Sequence, residues 1–90
     1  MDKDNVYAYP NPVAPEYTGV ITIVGLSYNA DVKITTATGY PVAEGRSTGG
    51  TFTWNGIDSS GKRVASGVYN VLTAKQDGSK GTVCKIAIIK

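Results

Sequence analysis

The side chains best suited to chemistry lie in one stretch, "TFTWNGIDSSGKRVASGVYNV", residues 51–71. Trp54, Asp58, Ser59, Ser60, Lys62 and Arg63 follow one another closely there, punctuated by glycines. Nucleophilic catalysis by a serine or cysteine needs an activating base, and the chain has no histidine and one cysteine. That removes imidazole activation and histidine ligation of a metal, and with them an ordinary tetrahedral zinc site. Carboxylate-pair catalysis needs two acids held across a cleft, one with a raised pKa. The seven acids fall mostly in expected turns or near the N-terminus, and no motif joins two of them. A calcium loop alternates oxygen ligands and ends on a bidentate Glu. In "DSSGKR" (58–63) Lys62 follows Asp58 and Ser60, and no Glu lies downstream. No Gly-Lys-Ser/Thr phosphate loop is present either. The stretch therefore reads as a turn in which Asp58 or a serine hydroxyl bonds nearby backbone N–H groups. The expectation is a protein that is not an enzyme, with no catalytic, cofactor or metal site.

The surrounding elements follow a period of two, with glycine or proline every eight to twelve residues, as in an all-β sandwich. Seven strands are expected, at 6–9, 20–26, 31–37, 41–45, 49–55, 67–75 and 82–89. "PNP" stops the first, because proline lacks an N–H and restricts its neighbour. "TGY" turns the third into the fourth, and "QDGSKG" turns the sixth into the seventh. Phe52 and Trp54 share one face of the fifth, Trp54 plugging the core, while Gly56 and Gly61 serve backbone turns. No helical periodicity or internal repeat is present. The fold expected is an all-β, Ig-like antiparallel sandwich, one domain over 6–90 with residues 1–5 as tail or linker.

Ninety residues, 41% apolar and 18% charged, suit one small globular unit. A chain of this size buries only about 60–65% of its unfolded surface, leaving little room for an internal pocket. The net charge of +2 is uneven: residues 1–45 carry −3 and residues 46–90 carry +5. A basic half can attract an anionic glycan, a lipid head group or an acidic protein, but lysines and arginines at strand edges also simply suppress aggregation. Cys84 alternates in phase with Ile86 and Ile88 and reads as a small core residue. The eight aromatic residues are scattered one or two per segment, which favours neither nucleic-acid binding nor a stacked glycan platform. "MDKDN" is mixed in charge and lacks the apolar stretch of a signal peptide.

Three segments in order carry a resemblance. "VYAYPNPV" opens the chain and "VKITTATGYPVAEG" supplies a strand-hairpin-strand. Then come Trp-Asn-Gly, four residues, Gly, two residues, Val, two residues, Gly-Val-Tyr, and a lysine-flanked apolar strand "VCKIAIIK". The combination resembles the C-terminal sorting domains of proteins exported by the Bacteroidetes type IX (Por) secretion system. "PNPVAPEYTG" followed by "ITIVGL" is similar in particular to the end of a surface β-propeller component of that machinery. Tyr9, Pro10, Asn11 and Pro12 match the opening motif of such domains; Gly61, Val64, Gly67, Val68 and Tyr69 match the middle one. Lys85, Ile86, Ile88 and Lys90 match the last, which the family uses for recognition.

The resemblance implies a targeting and docking domain, fused to an upstream passenger, that folds in the periplasm. It is then read by the outer-membrane translocon and ends on the cell surface. The implied partners are the translocon, sortase and attachment proteins, and anionic lipopolysaccharide. A physical mechanism accompanies it: an apolar strand at a sheet edge is a template for a partner strand, with Lys85 and Lys90 supplying sign. Two other readings stay open. One is a generic Ig-like adhesion or glycan-binding module, marked by coplanar exposed tyrosines. The other is a flagellar hook-cap-like structural domain, since Trp-x-Gly-x4-Gly occurs there too.

Overall fold

A computed structural model describes residues 6–74 and 80–89. The strands are β1 (Tyr7–Tyr9), β2 (Ile21–Val24), β3 (Asp31–Thr36), β4 (Pro41–Arg46), β5 (Phe52–Trp54), β6 (Gly67–Ala74) and β7 (Lys80–Ile88). They form two antiparallel sheets, ordered β1-β2-β5 and β4-β3-β6-β7. Among the described residues there is no helix. The fold is an all-β sandwich, as the period-two pattern predicts, and the order is that of an Ig-type sandwich whose fourth strand joins the larger sheet.

Alternation decides what each strand buries, because successive side chains point to opposite faces. Ile21 and Ile23 of β2 face Val32 and Ile34 of β3, Val71 of β6, and Ile86 and Ile88 of β7 in one apolar cluster. Ile23, Ile34, Val71 and Ile86 are wholly removed from water. Trp54 closes the cluster at β5, its ring edge-on to Tyr69 at 5.8 Å between centroids. The sheets approach closely beside β4, where the Phe52 ring lies over Gly45. A Cβ at Gly45 would stand 2.6 Å from Phe52 Cε1, so the position has room for hydrogen only. Buried Ser47 ties the loop before β3 to the end of β4, accepting from Ala30 N at 2.7 Å and donating to Ser27 O at 2.8 Å.

Most strand ends differ from expectation by one or two residues, the last strand beginning at Lys80 instead of 82, and two differences have a clear cause. The fifth strand was expected over 49–55, yet Gly49 and Gly50 take positive φ of 62° and 90° and Thr48 pairs with Thr51. A two-residue hairpin turn with positive φ at both positions suits Gly-Gly, so the strand proper begins at Phe52. The second strand stops at Val24 because Gly25 turns with φ 86°. The expected turn residues 76–81 lie mostly outside the described residues.

Candidate functional site

The final strand presents two chemically different faces. Ile86 and Ile88 point inward and are buried, while Lys85 and Ile89 are exposed. Cys84 is half-buried against the core, and burial pushes its thiol up to about 11, so it stays protonated at neutral pH. One sheet edge of β7 is taken by β6 from Gly67↔Ile88 to Ala74↔Lys80, with a register shift at Val71/Leu72. The strand therefore ends the larger sheet, as expected.

Its other edge is not open along its whole length. Val13 pairs with Ile88 in parallel fashion: Val13 N donates to Ala87 O at 2.8 Å and Ile89 N donates to Val13 O at 2.9 Å. One rung further along, Asn11 Nδ2 donates to Lys85 O at 2.8 Å and Ala87 N donates to Asn11 Oδ1 at 2.9 Å. With residue 13 opposite 88, residue 11 falls opposite 86, where a main-chain rung would reach the Lys85 carbonyl and the Ala87 amide. The Asn11 carboxamide makes that rung instead. Its neighbours Pro10 and Pro12 have no N–H, so Asn11 alone supplies amide donors between Tyr9 and Val13, and its side chain is the one that reaches β7. Val13 anchors the strap with its own side chain in the core. The expectation of an uncovered edge at the last strand is corrected here: from 85 to 89 the edge is occupied by residues 11–13 of the same chain.

The middle motif builds a closely hydrogen-bonded connection. After Trp54 the chain makes a small hairpin in which Ile57 pairs with Arg63 and Val64 N donates to Gly56 O at 3.0 Å. Gly56 and Gly61 take φ of 77° and 88°. Asp58 Oδ1 accepts from Ser60 N, Ser60 Oγ and Lys62 N at 2.9, 2.7 and 3.0 Å. The Ser60 hydroxyl, and then the Lys62 amide, hold its carboxyl below the usual 3.8. Trp54 Nε1 donates to Ile57 O at 3.0 Å, and Tyr69 Oη donates back to Ala65 O at 2.6 Å. The latter is the tyrosine-corner geometry of Ig-type sandwiches, and Val64 plugs the core beneath it.

A search of solved structures finds a chain with the same fold over nearly this whole length. It is PorZ of Porphyromonas gingivalis, described as an essential bacterial surface component of the type-IX secretion system. This chain is similar to part of PorZ. The two share 39% identity with a TM-score of 0.82, over 97% of this chain and 12% of the PorZ chain. The chain thus spans about an eighth of PorZ. No protein-family model matches it, and no curated protein does.

The fold brings the two ends of the strap together from 74 residues apart. Of the residues singled out in the sequence, Asn11 meets Lys85, while Ile86 and Ile88 serve the core, so their side chains are not presented to solvent. Tyr9 and Pro12 are exposed and Pro10 is partly so. Trp54, Gly56, Gly61, Val64, Gly67 and Tyr69 frame the connection, with Val68 exposed beside β7 opposite Ala87. Lys90 lies outside the described residues. Sequence reasoning missed Val13 and the Asn11 rung. The available signal was an amide side chain between two residues that lack N–H donors. Tyr7 and Tyr9 stand side by side on β1, but their rings are inclined at 40° and share no plane.

Proposed function

We propose that this chain is a non-enzymatic targeting and docking domain of the type IX secretion system. It is carried at the end of a larger protein and read by the outer-membrane translocon for delivery to the cell surface. The observation that carries the reading is the 39% identity to a domain-sized part of a surface component of that system. The ordered motifs and the lysine-flanked last strand support it. The working surface is β7 and the residue after it, where Lys85 and Ile89 are exposed while Ile86 and Ile88 hold the strand in the core. Translocon, sortase and attachment proteins are the proposed partners, with anionic lipopolysaccharide at the final location.

The test fuses the chain to a neutral periplasmic passenger in a bacterium with a working type IX system. Protease accessibility on intact cells then reports delivery. The passenger is expected at the surface in that strain and in the periplasm of an isogenic strain lacking the translocon. Surface delivery that is equal in both strains, or absent in both, would refute the proposal. The tilted Tyr7–Tyr9 pair gives an adhesion function no comparable support, since a sugar ring stacks best on rings in one plane.

A further inference from the structure

We propose that the outer edge of β7 from residue 85 to 89 is a strand-exchange docking site, in which an extended segment of the secretion machinery replaces residues 11–13. The inference rests on the proposed function and names the contact through which it is exerted.

The chain itself shows what fits that edge. Four main-chain groups point outward there: Lys85 O, Ala87 N, Ala87 O and Ile89 N. Each is satisfied at 2.8–2.9 Å by the strap. The resident occupant is a short extended segment running parallel to β7, so an incoming parallel strand makes the same four bonds. Exchange then conserves hydrogen bonds and differs only in the side chains that come with the new strand. The strap is held by the buried Val13 side chain, the two main-chain bonds of Val13 and one carboxamide, while Pro12 and most of Asn11 face solvent. That is a short hold for a displaced segment. The opposite edge of the same sheet is blunted differently. β4 opens with Pro41, which has no N–H, and carries exposed Glu44 and Arg46, devices that discourage strand addition. Along residues 85–89 of β7 the one charged side chain is Lys85, so the strap is what shields the edge.

The test has two arms, both with the full chain. In the first, Asn11→Ala removes the carboxamide rung, and amide exchange at Ala87 is expected to accelerate about tenfold or more. Adding the peptide acetyl-Tyr-Pro-Asn-Pro-Val-Ala-amide is expected to restore that protection in trans. An Ala87 amide that stays protected in Asn11→Ala, or one the peptide leaves exposed, overturns strand exchange. The second arm locks the strap with Val13→Cys and Ile88→Cys in a Cys84→Ala background. Paired neighbours stand about 4.8 Å apart, inside the range a disulfide spans. The cross-linked domain is expected to lose most of the passenger delivery shown by the same double-cysteine protein kept reduced. Delivery by the cross-linked domain at the level of its reduced form overturns the proposal. Failure of the unmodified chain to deliver refutes the targeting function instead, and the peptide arm still decides whether the edge accepts a strand.

Discussion

At the scale of single residues, the connection between β5 and β6 is held by polar contacts of Tyr69 and Asp58 whose loss has separable effects. Tyr69→Phe keeps the ring against Trp54 but leaves Ala65 O without its partner. The expected cost is about 0.5–1.5 kcal/mol, read by chemical denaturation. Asp58 behaves differently because its contribution depends on charge. Its folded-state pKa is depressed, so its support of the hairpin is present above its ordinary pKa of 3.8. That support is lost as the pH falls through the lowered folded value. The amides of Ser60 and Lys62 are therefore expected to lose protection in strong acid, and in Asp58→Asn to be weakly protected at every pH. An acid-insensitive Lys62 amide in the unmodified protein would count against this assignment. Lys85 belongs to the same scale. Lys85→Glu changes an exposed side chain only, so the fold should persist with melting unchanged within about 0.5 kcal/mol while passenger delivery falls.

At the scale of elements, the small hairpin after Trp54 depends on Gly61, whose φ of 88° is one that L side chains rarely adopt. No atom crowds a Cβ there, so the penalty of substitution is conformational alone. Gly61→Val is expected to cost about 1–2 kcal/mol and Gly61→Asn clearly less, as measured by urea denaturation. Equal costs would indicate a steric cause instead. Such local features were largely legible in the sequence: the strands alternate, and Asp58 with Ser60 carries its turn chemistry within a few residues. The Gly49–Gly50 turn was less so, because the flanking "TFTW" pattern extends a strand reading across it. The strap was not legible. Asn11 and Lys85 are remote in sequence, and no period or spacing in a single chain reports a pairing between a side-chain amide and a distant strand edge. Strand patterns reveal which face is buried; they say little about what covers an edge.

At the scale of the whole molecule, one thin core joins both sheets, so damage at its centre is felt throughout. Ile86 is fully buried and lies in the stretch that resembles the terminal motif of the sorting domains. Ile86→Ala is expected to cost about 2–5 kcal/mol, a large share of the roughly 5–15 kcal/mol that stabilises a domain. A delivery defect in that variant accompanied by lost folding therefore reports stability, whereas the Lys85→Glu defect reports contact. The strap has a kinetic consequence as well. Residues 11–13 emerge before β7 in synthesis and in any N-to-C threading, and their partner lies more than seventy residues later. Closing a loop of that length carries a high entropic cost, and contacts so distant are made late in folding. Until residue 89 is delivered, Asn11 and Val13 have nothing to bind, and the sandwich stays unlaced on that side. The lacing of β1's exit to β7 thus closes the sandwich late: without β7 the strap has no edge to pair with.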